Sequence, residues 1–136
     1  MFDLLSSDRM IQTMDRSLSL STRRMELIAS NLSNIDTPGY RTKDFDFSSA
    51  LKSELDQLNH APTPLARTDP KHFASANSGS QPSITNPNAP SYERNDGNDV
   101  SLDRESNQLA RTQFNYQLAS NFAQSKLRQI YLVVKG

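Results

Sequence analysis

The 136-residue sequence has no cysteine and no tryptophan. Without cysteine there can be no disulfide framework, thiol nucleophile or cysteine-ligated zinc. Without tryptophan, and with only four Tyr and six Phe, it has few of the bulky residues that dominate a core. Apolar residues make up 35% of the chain, against ~45–50% in an ordinary soluble domain, so a single large core is not expected. Net charge is also missing, because 15 Lys and Arg balance 15 Asp and Glu. With no global field, neither nucleic acid nor an anionic membrane surface is expected as a partner. The first 36 residues lean acidic and residues 100–136 lean basic, a bias that favours pairing between ends or subunits. No apolar run approaches the ~18 residues of a membrane span, and MFDLLSSDRMIQTMDR lacks the features of a secretory signal. Export, if it occurs, is expected by a route that does not read a cleaved signal peptide.

The apolar residues that are present lie mostly near the two ends. From Met1 to Asp36 they recur in alternating steps of three and four: Ile11, Met14, Leu18, Met25, Ile28, Leu32 and Ile35 occupy heptad core positions, with Ser7 and Ser21 as polar exceptions. Neither Pro nor Gly interrupts this stretch before Pro38. The spacing predicts a helix from roughly Asp8 to Ile35, about 40 Å long, capped by Ser6 or Ser7. Met10, Leu20 and Leu27 form a second stripe beside the seam, and the width of the apolar face implies more than one neighbour.

Residues 100–136 repeat the pattern. Leu109, Tyr116, Ala119, Ala123, Leu127, Ile130 and Val134 share one face of a second long helix, and Phe114, Leu118 and Phe122 an adjoining one. Ser101 is its expected cap, with Asp103 and Glu105 favourable to the helix dipole in the first turn. Between the helices, residues 37–99 carry all seven prolines and read as extended or mobile, with disorder expected around 75–98. The exception is a short helix near 48–59, capped by Ser48 or Ser49, with Leu51, Leu55 and Leu58 on one side. The fold class is therefore mainly α: an antiparallel, coiled-coil-like pair of long N- and C-terminal helices with an extended, partly disordered middle.

ASNLSNIDTPGYR, residues 29–41, holds the densest local signal. Asn31 and Asn34 fall in the last turns of the first helix, Pro38 forbids its continuation, and Pro38–Gly39 suits the centre of a type II turn bounded by Thr37 and Tyr40. A heptad helix running into SNLSNIDTPGY resembles the signature of bacterial flagellar rod and hook proteins. KDFDF at 43–47, LARTDPKHF at 65–73, DGNDVSLDRE at 96–105 and LARTQFNYQL at 109–118 resemble the proximal rod (FlgB) type within that superfamily. Hook and distal rod proteins are longer and carry inserted β domains, whereas this chain ends at LRQIYLVVKG. Ser30 and Ser33 stand where the family pattern often has Ala or a further Asn.

The resemblance implies a structural subunit in the periplasmic rod of the flagellar basal body, exported through the flagellar type III apparatus. It implies a homo-oligomer whose partners are other rod proteins, the rod-to-ring junction protein and the export gate, with no small-molecule substrate and no cofactor. The expected assembly surface is the seam from Ile11 to Ile35 together with Leu109, Tyr116, Ala123, Leu127 and Ile130. Phe47 followed by Leu51 is similar to the gate-recognition pattern of early rod and hook substrates, although packing of Phe47 on the short helix explains the same spacing. MFDLL is a second candidate signal.

Catalysis has little to stand on. His60 and His72 have no metal-ligand spacing, Asp44 and Asp46 flank Phe45 without a pocket, and no nucleophile elbow surrounds any serine. A cell-wall hydrolase is thereby disfavoured. A soluble coiled-coil adaptor or chaperone of a secretion system is the competing reading, since heptads alone serve both.

Overall fold

The computed structural model of the chain describes residues 9–59, 82–86 and 93–135. Three helices account for most of them: α1 (Arg9–Ser33), α2 (Phe47–Asn59) and α3 (Leu102–Lys135). The mainly α architecture read from the sequence is present, with the two long helices packed together.

α1 stops two residues before the heptad pattern does. The amides of Asn34 and Ile35 turn back to the carbonyls of Asn31 and Leu32, tightening the last turn. The Asn34 side chain donates to the Ser30 carbonyl at 2.8 Å, replacing a backbone partner and ending the helix before Pro38 has to. α2 starts one residue earlier than expected and takes a different cap. Asp46 Oδ1 accepts the amides of Ser48 and Ser49 at 2.9 and 3.1 Å, so Asp46, not Ser48 or Ser49, is the N-cap, and its charge also suits the helix dipole. α3 begins after Ser101, whose carbonyl accepts the Glu105 amide at 2.9 Å. The candidate caps Ser6 and Ser7 of α1 lie outside the described residues.

α1 is the central element, with α3 packed along it on one side and α2 on the other. Asn31, near the end of α1, meets Glu105, near the start of α3, so the long helices run antiparallel. On the α2 side, Leu20, Phe45 and Ala50 form a small apolar core, with Leu27, Phe47 and Leu51 packed against it. The rings of Phe45 and Phe47 stack at 6.4 Å. The stripe taken as a sign of further neighbours is therefore covered at Leu20 and Leu27 from within the chain, and only Met10 of that stripe stays exposed.

The α1–α3 seam is more polar than a heptad reading suggests. Ser21, Ile28 and Asn31 of α1, and Glu105, Thr112 and Ala119 of α3, are buried. Ser21 and Thr112 satisfy their hydroxyls on the carbonyls of Ser17 and Gln108, one turn back in the same helix. They can thus sit in the seam without an orphaned polar group. Ile11, Met14, Leu18, Met25, Leu32 and Ile35 are half-buried, as are Leu109, Ala123 and Ile130, whereas Tyr116 and Leu127 are exposed.

Residues 82–86 and 93–99 fall in the part of the middle segment expected to be extended or disordered, and hydrogen bonds hold them. Asp44 and Thr85 form an antiparallel bridge, their amides donating to each other's carbonyls at 3.0 and 2.7 Å. Residues 93–100 fold back on the turn after α1. Side-chain amides and carboxylates fix this backbone without much apolar burial, which is why hydropathy gave no sign of it.

Replacing Phe45 by Ala should remove the largest side chain of the apolar core and lower stability by about 3 kcal/mol. Urea denaturation followed by helical circular dichroism measures it.

Candidate functional site

No reactive cluster of side chains stands out among the described residues. Among the described residues, no group of three or more His, Asp or Glu is placed to hold a metal ion, and no helix is long and apolar enough to cross a membrane. His60 and His72 lie outside the described residues. The two carboxylates flanking Phe45 have separate structural tasks: Asp46 caps α2, and Asp44 accepts both arms of Arg24 at 3.0 and 2.6 Å. Two other features stand out, a hydrogen-bonded clasp at one end of the helix pair and an uncovered face along α3.

The clasp centres on Asn31, which is fully buried. Its Nδ2 donates to the Lys43 carbonyl and to Glu105 Oε2, each at 2.9 Å. Its Oδ1 accepts the Lys43 amide at 3.0 Å and the Tyr40 hydroxyl at 3.2 Å. An amide side chain has two donor hydrogens and two acceptor lone pairs, and all four are used. With the Tyr40 proton committed to Asn31, the Ser30 hydroxyl, 3.2 Å away, donates to Tyr40. One side chain thus ties the end of α1 to the departing chain and to the start of α3.

The turn after α1 is built from paired glycines. Gly39 has φ of 72°, and the Tyr40 amide closes onto the Thr37 carbonyl at 3.3 Å, as a type II turn requires. The Gly39 amide donates to the Asp96 carbonyl at 2.9 Å. Gly97, with φ of 79°, backs directly onto it, so that a Cβ on Gly97 would lie 3.5 Å from Gly39 Cα. Asn98 Nδ2 donates to the carbonyls of Asn34 and Thr37 at 3.0 and 2.8 Å, and Arg94 reaches the Ile35 carbonyl at 3.0 Å. Acceptors left open at the end of α1 are therefore filled by residues about sixty positions later. Asp99 is buried and accepts from the Thr42 amide, the Thr42 hydroxyl and Asn86.

Charge within the clasp is balanced unevenly. Burial pushes the Glu105 carboxyl above its ordinary value, against the opposing Asn31 hydrogen bond, and nearby Asp44 adds to the rise. Burial acts in the same direction on Asp99 but is outweighed by Thr42, Asn86 and Arg41, so that carboxyl is held below its ordinary value. Arg24 links the same region: besides Asp44, its guanidinium lies 5.8 Å from the Phe45 ring centroid. Gln108 of α3, with its amide oxygen turned toward Arg24, accepts from Arg24 Nε at 2.8 Å.

The second feature is the face of α3. Phe114 is 68% exposed, and Leu118, Phe122 and Leu132 are also exposed. Phe114, Leu118 and Phe122 follow at four-residue intervals, so they line one side of the helix. Tyr131, Val133 and Val134 add exposed apolar surface near its end.

Residues 11–41, which run through α1 and the Gly39 turn, match the family described as "Flagella basal body rod protein". The flagellar basal body rod protein FlgB of Aeromonas hydrophila is 33% identical over 97% of both chains. The FlgB proteins of Bacillus subtilis strain 168 and Salmonella typhimurium strain LT2 are each 32% identical, over 93% and 95% of both chains. The chain belongs to the FlgB family of flagellar basal body rod proteins. Within this FlgB-family chain the matched stretch contains the clasp residues Asn31 and Tyr40 and the turn residues Asn34, Thr37, Pro38 and Gly39.

Sequence reading located these turn residues but missed Lys43, Asn98, Asp99 and Glu105, which complete the clasp. The DGND run at 96–99 was the available signal, since Asp, Gly and Asn together mark a backbone fixed by its own side chains. Phe47 and Leu51, the candidate export signal, are half-buried against the apolar core. The second candidate, MFDLL, lies outside the described residues.

Asn31→Leu strands the Lys43 backbone groups and the Glu105 carboxylate, and should cost on the order of 3 kcal/mol in chemical denaturation. Gly39→Val places a β-branched residue at positive φ and should cost about 2 kcal/mol or more by the same measurement. The two buried carboxylates give opposite pH dependences. Because the native Glu105 carboxyl binds its proton more tightly than the unfolded one, stability should rise as pH falls through its raised native value toward 4.5. Below 3.8, stability should be lost as Asp99 is protonated. Glu105→Gln should abolish the first change and leave the second, as read from thermal midpoints across the acid range.

Proposed function

We propose that this chain is a subunit of the proximal rod, exported through the flagellar type III apparatus without a cleaved signal and assembled in the periplasm as part of the axial drive shaft. The observation that carries this reading is the uncovered apolar face of α3, where Phe114, Leu118 and Phe122 stay exposed while Thr112 and Ala119 are buried in the seam with α1. Contiguous exposed apolar surface on a protein marks a place where another protein sits. The clasp supports the same role. A shaft subunit transmits torque only if its helices keep a fixed angle to the rest of the chain, and a fully bonded buried amide resists the shear that would open it.

Assembly then proceeds through the terminal helices, joining this chain to its own copies, to other rod proteins and to the rod-to-ring junction protein, with the export gate at the base. Phe47 and Leu51 remain the proposed gate-recognition pair. Their half-buried position in the folded chain means that recognition would act on the chain before it folds. The function is structural, with no substrate and no cofactor.

Phe114→Asp combined with Phe122→Asp alters only exposed positions and should leave the isolated fold intact, while burial of unpaired charge at the interface blocks assembly. A strain carrying the double variant should export the protein yet be non-motile and lack rods in purified basal bodies. Normal motility would contradict the reading. A soluble adaptor would instead stay monodisperse with one client and give no rod-like assembly when mixed with the other rod proteins.

A further inference from the structure

Gly97, alone among the four glycines, follows an Asp or Asn, and the residue before it is Asp96. An Asp–Gly link is open to attack by the main chain on its own side chain, because glycine has no Cβ to shield its amide nitrogen. The Gly97 nitrogen bonds to Asp96 Cγ, the carboxyl hydroxyl leaves with the amide proton as water, and a five-membered imide closes. Water then reopens the ring. Opening at the former main-chain carbonyl leaves the chain running through Cγ, as isoaspartate. One water leaves and one returns, so the mass is unchanged and no oxidant or reductant is needed.

In the folded chain both reacting groups are held. The Gly97 amide donates to the Arg94 carbonyl at 2.9 Å, Asp96 Oδ1 accepts the Asn98 amide at 3.0 Å, and Asp96 Oδ2 lies 3.8 Å from Arg94 Nη2. The Asp96 carbonyl is fixed as well, by the Gly39 amide. Asn98 pins the loop to the end of α1 through the carbonyls of Asn34 and Thr37. Ring closure requires the carboxyl to swing onto the Gly97 nitrogen, so these bonds must open first. A reaction that needs local opening is slowed by the cost of that opening.

For the clasp the change runs one way. Isoaspartate adds a methylene to the main chain between Asp96 and Gly97, where Gly97 has φ of 79° and even a Cβ would lie 3.5 Å from Gly39 Cα. A lengthened main chain at this point cannot hold Gly39 and also seat Asn98 on Asn34 and Thr37.

We infer that Asp96–Gly97 is a modification site, converted to isoaspartate while the clasp is open and protected while it is closed, so that a chain left open too long loses the ability to close. In a subunit kept unfolded before export, this link records the waiting time. That consequence rests on the proposed export, whereas the chemistry does not.

The full chain is incubated at neutral pH in buffer and in urea, and conversion at residue 96 is read by peptide mapping with a protease that cuts before Asp but not before isoaspartate. Conversion in urea should exceed that in buffer at least about tenfold, and Gly97→Ala, which shields the nitrogen, should suppress it in urea. In buffer, Arg94→Ala frees the carboxylate and Asn98→Ala unties the loop, and each should raise the rate severalfold. Arg94→Ala should do so with its helical circular dichroism unchanged. The isomerised chain, purified from urea and refolded, should unfold at a lower urea concentration than the unaltered one. Equal rates in buffer and urea, no response to either variant, or an unchanged urea midpoint for the isomerised chain would each overturn the inference. A chain that proves not to be exported would remove only the consequence for waiting subunits.

Discussion

The structure depends on one buried side-chain amide. Asn31 meets the Lys43 backbone in both directions and reaches Glu105 across the seam, so three separate stretches of chain converge on a group that cannot be hydrated. A buried polar group costs most when it is left partly satisfied. The end of α1, the departing segment and the start of α3 must therefore be in place together or not at all. Such a joint has one low-energy geometry, whereas an apolar contact of the same size tolerates sliding.

Around this joint the chain divides its apolar residues unequally. Leu20, Phe45 and Ala50 close a small core between α1 and α2. The α1–α3 seam relies on Ile28, small residues and satisfied polar groups. The largest side chains of α3 are left outside. A core this modest suits a chain that contains 35% apolar residues, and under the proposed assembly role the uncovered surface is where further stabilisation would come from.

The long helices were legible because each is amphipathic over many turns without an interrupting glycine or proline, and a period sustained that long outweighs local noise. The Pro38–Gly39 turn was legible for the complementary reason, since few backbones accept that pair. The cap at Asp46 was missed because two serines beside it are equally good caps by residue type, and only the direction of the chain separates them. The covering of Leu20 and Leu27 by α2 was missed because a stripe reveals that a face is buried, not by what. The clasp was the least visible. Asn98 and Asp99 are joined to Asn34, Thr37 and Thr42 across about sixty residues, and hydrogen bonds of that reach leave no periodicity to read.

The central claim is that the chain holds its own helix pair by a polar clasp and offers the outer face of α3 to other molecules. A density map of the assembled basal body at side-chain resolution tests it most directly. The account requires Asn31 to remain bonded to Lys43 and Glu105 of its own chain, with Phe114, Leu118 and Phe122 covered by a neighbouring subunit. Finding those three rings and branches facing solvent, or α3 seated on the α1 of another molecule with the clasp broken, would contradict it.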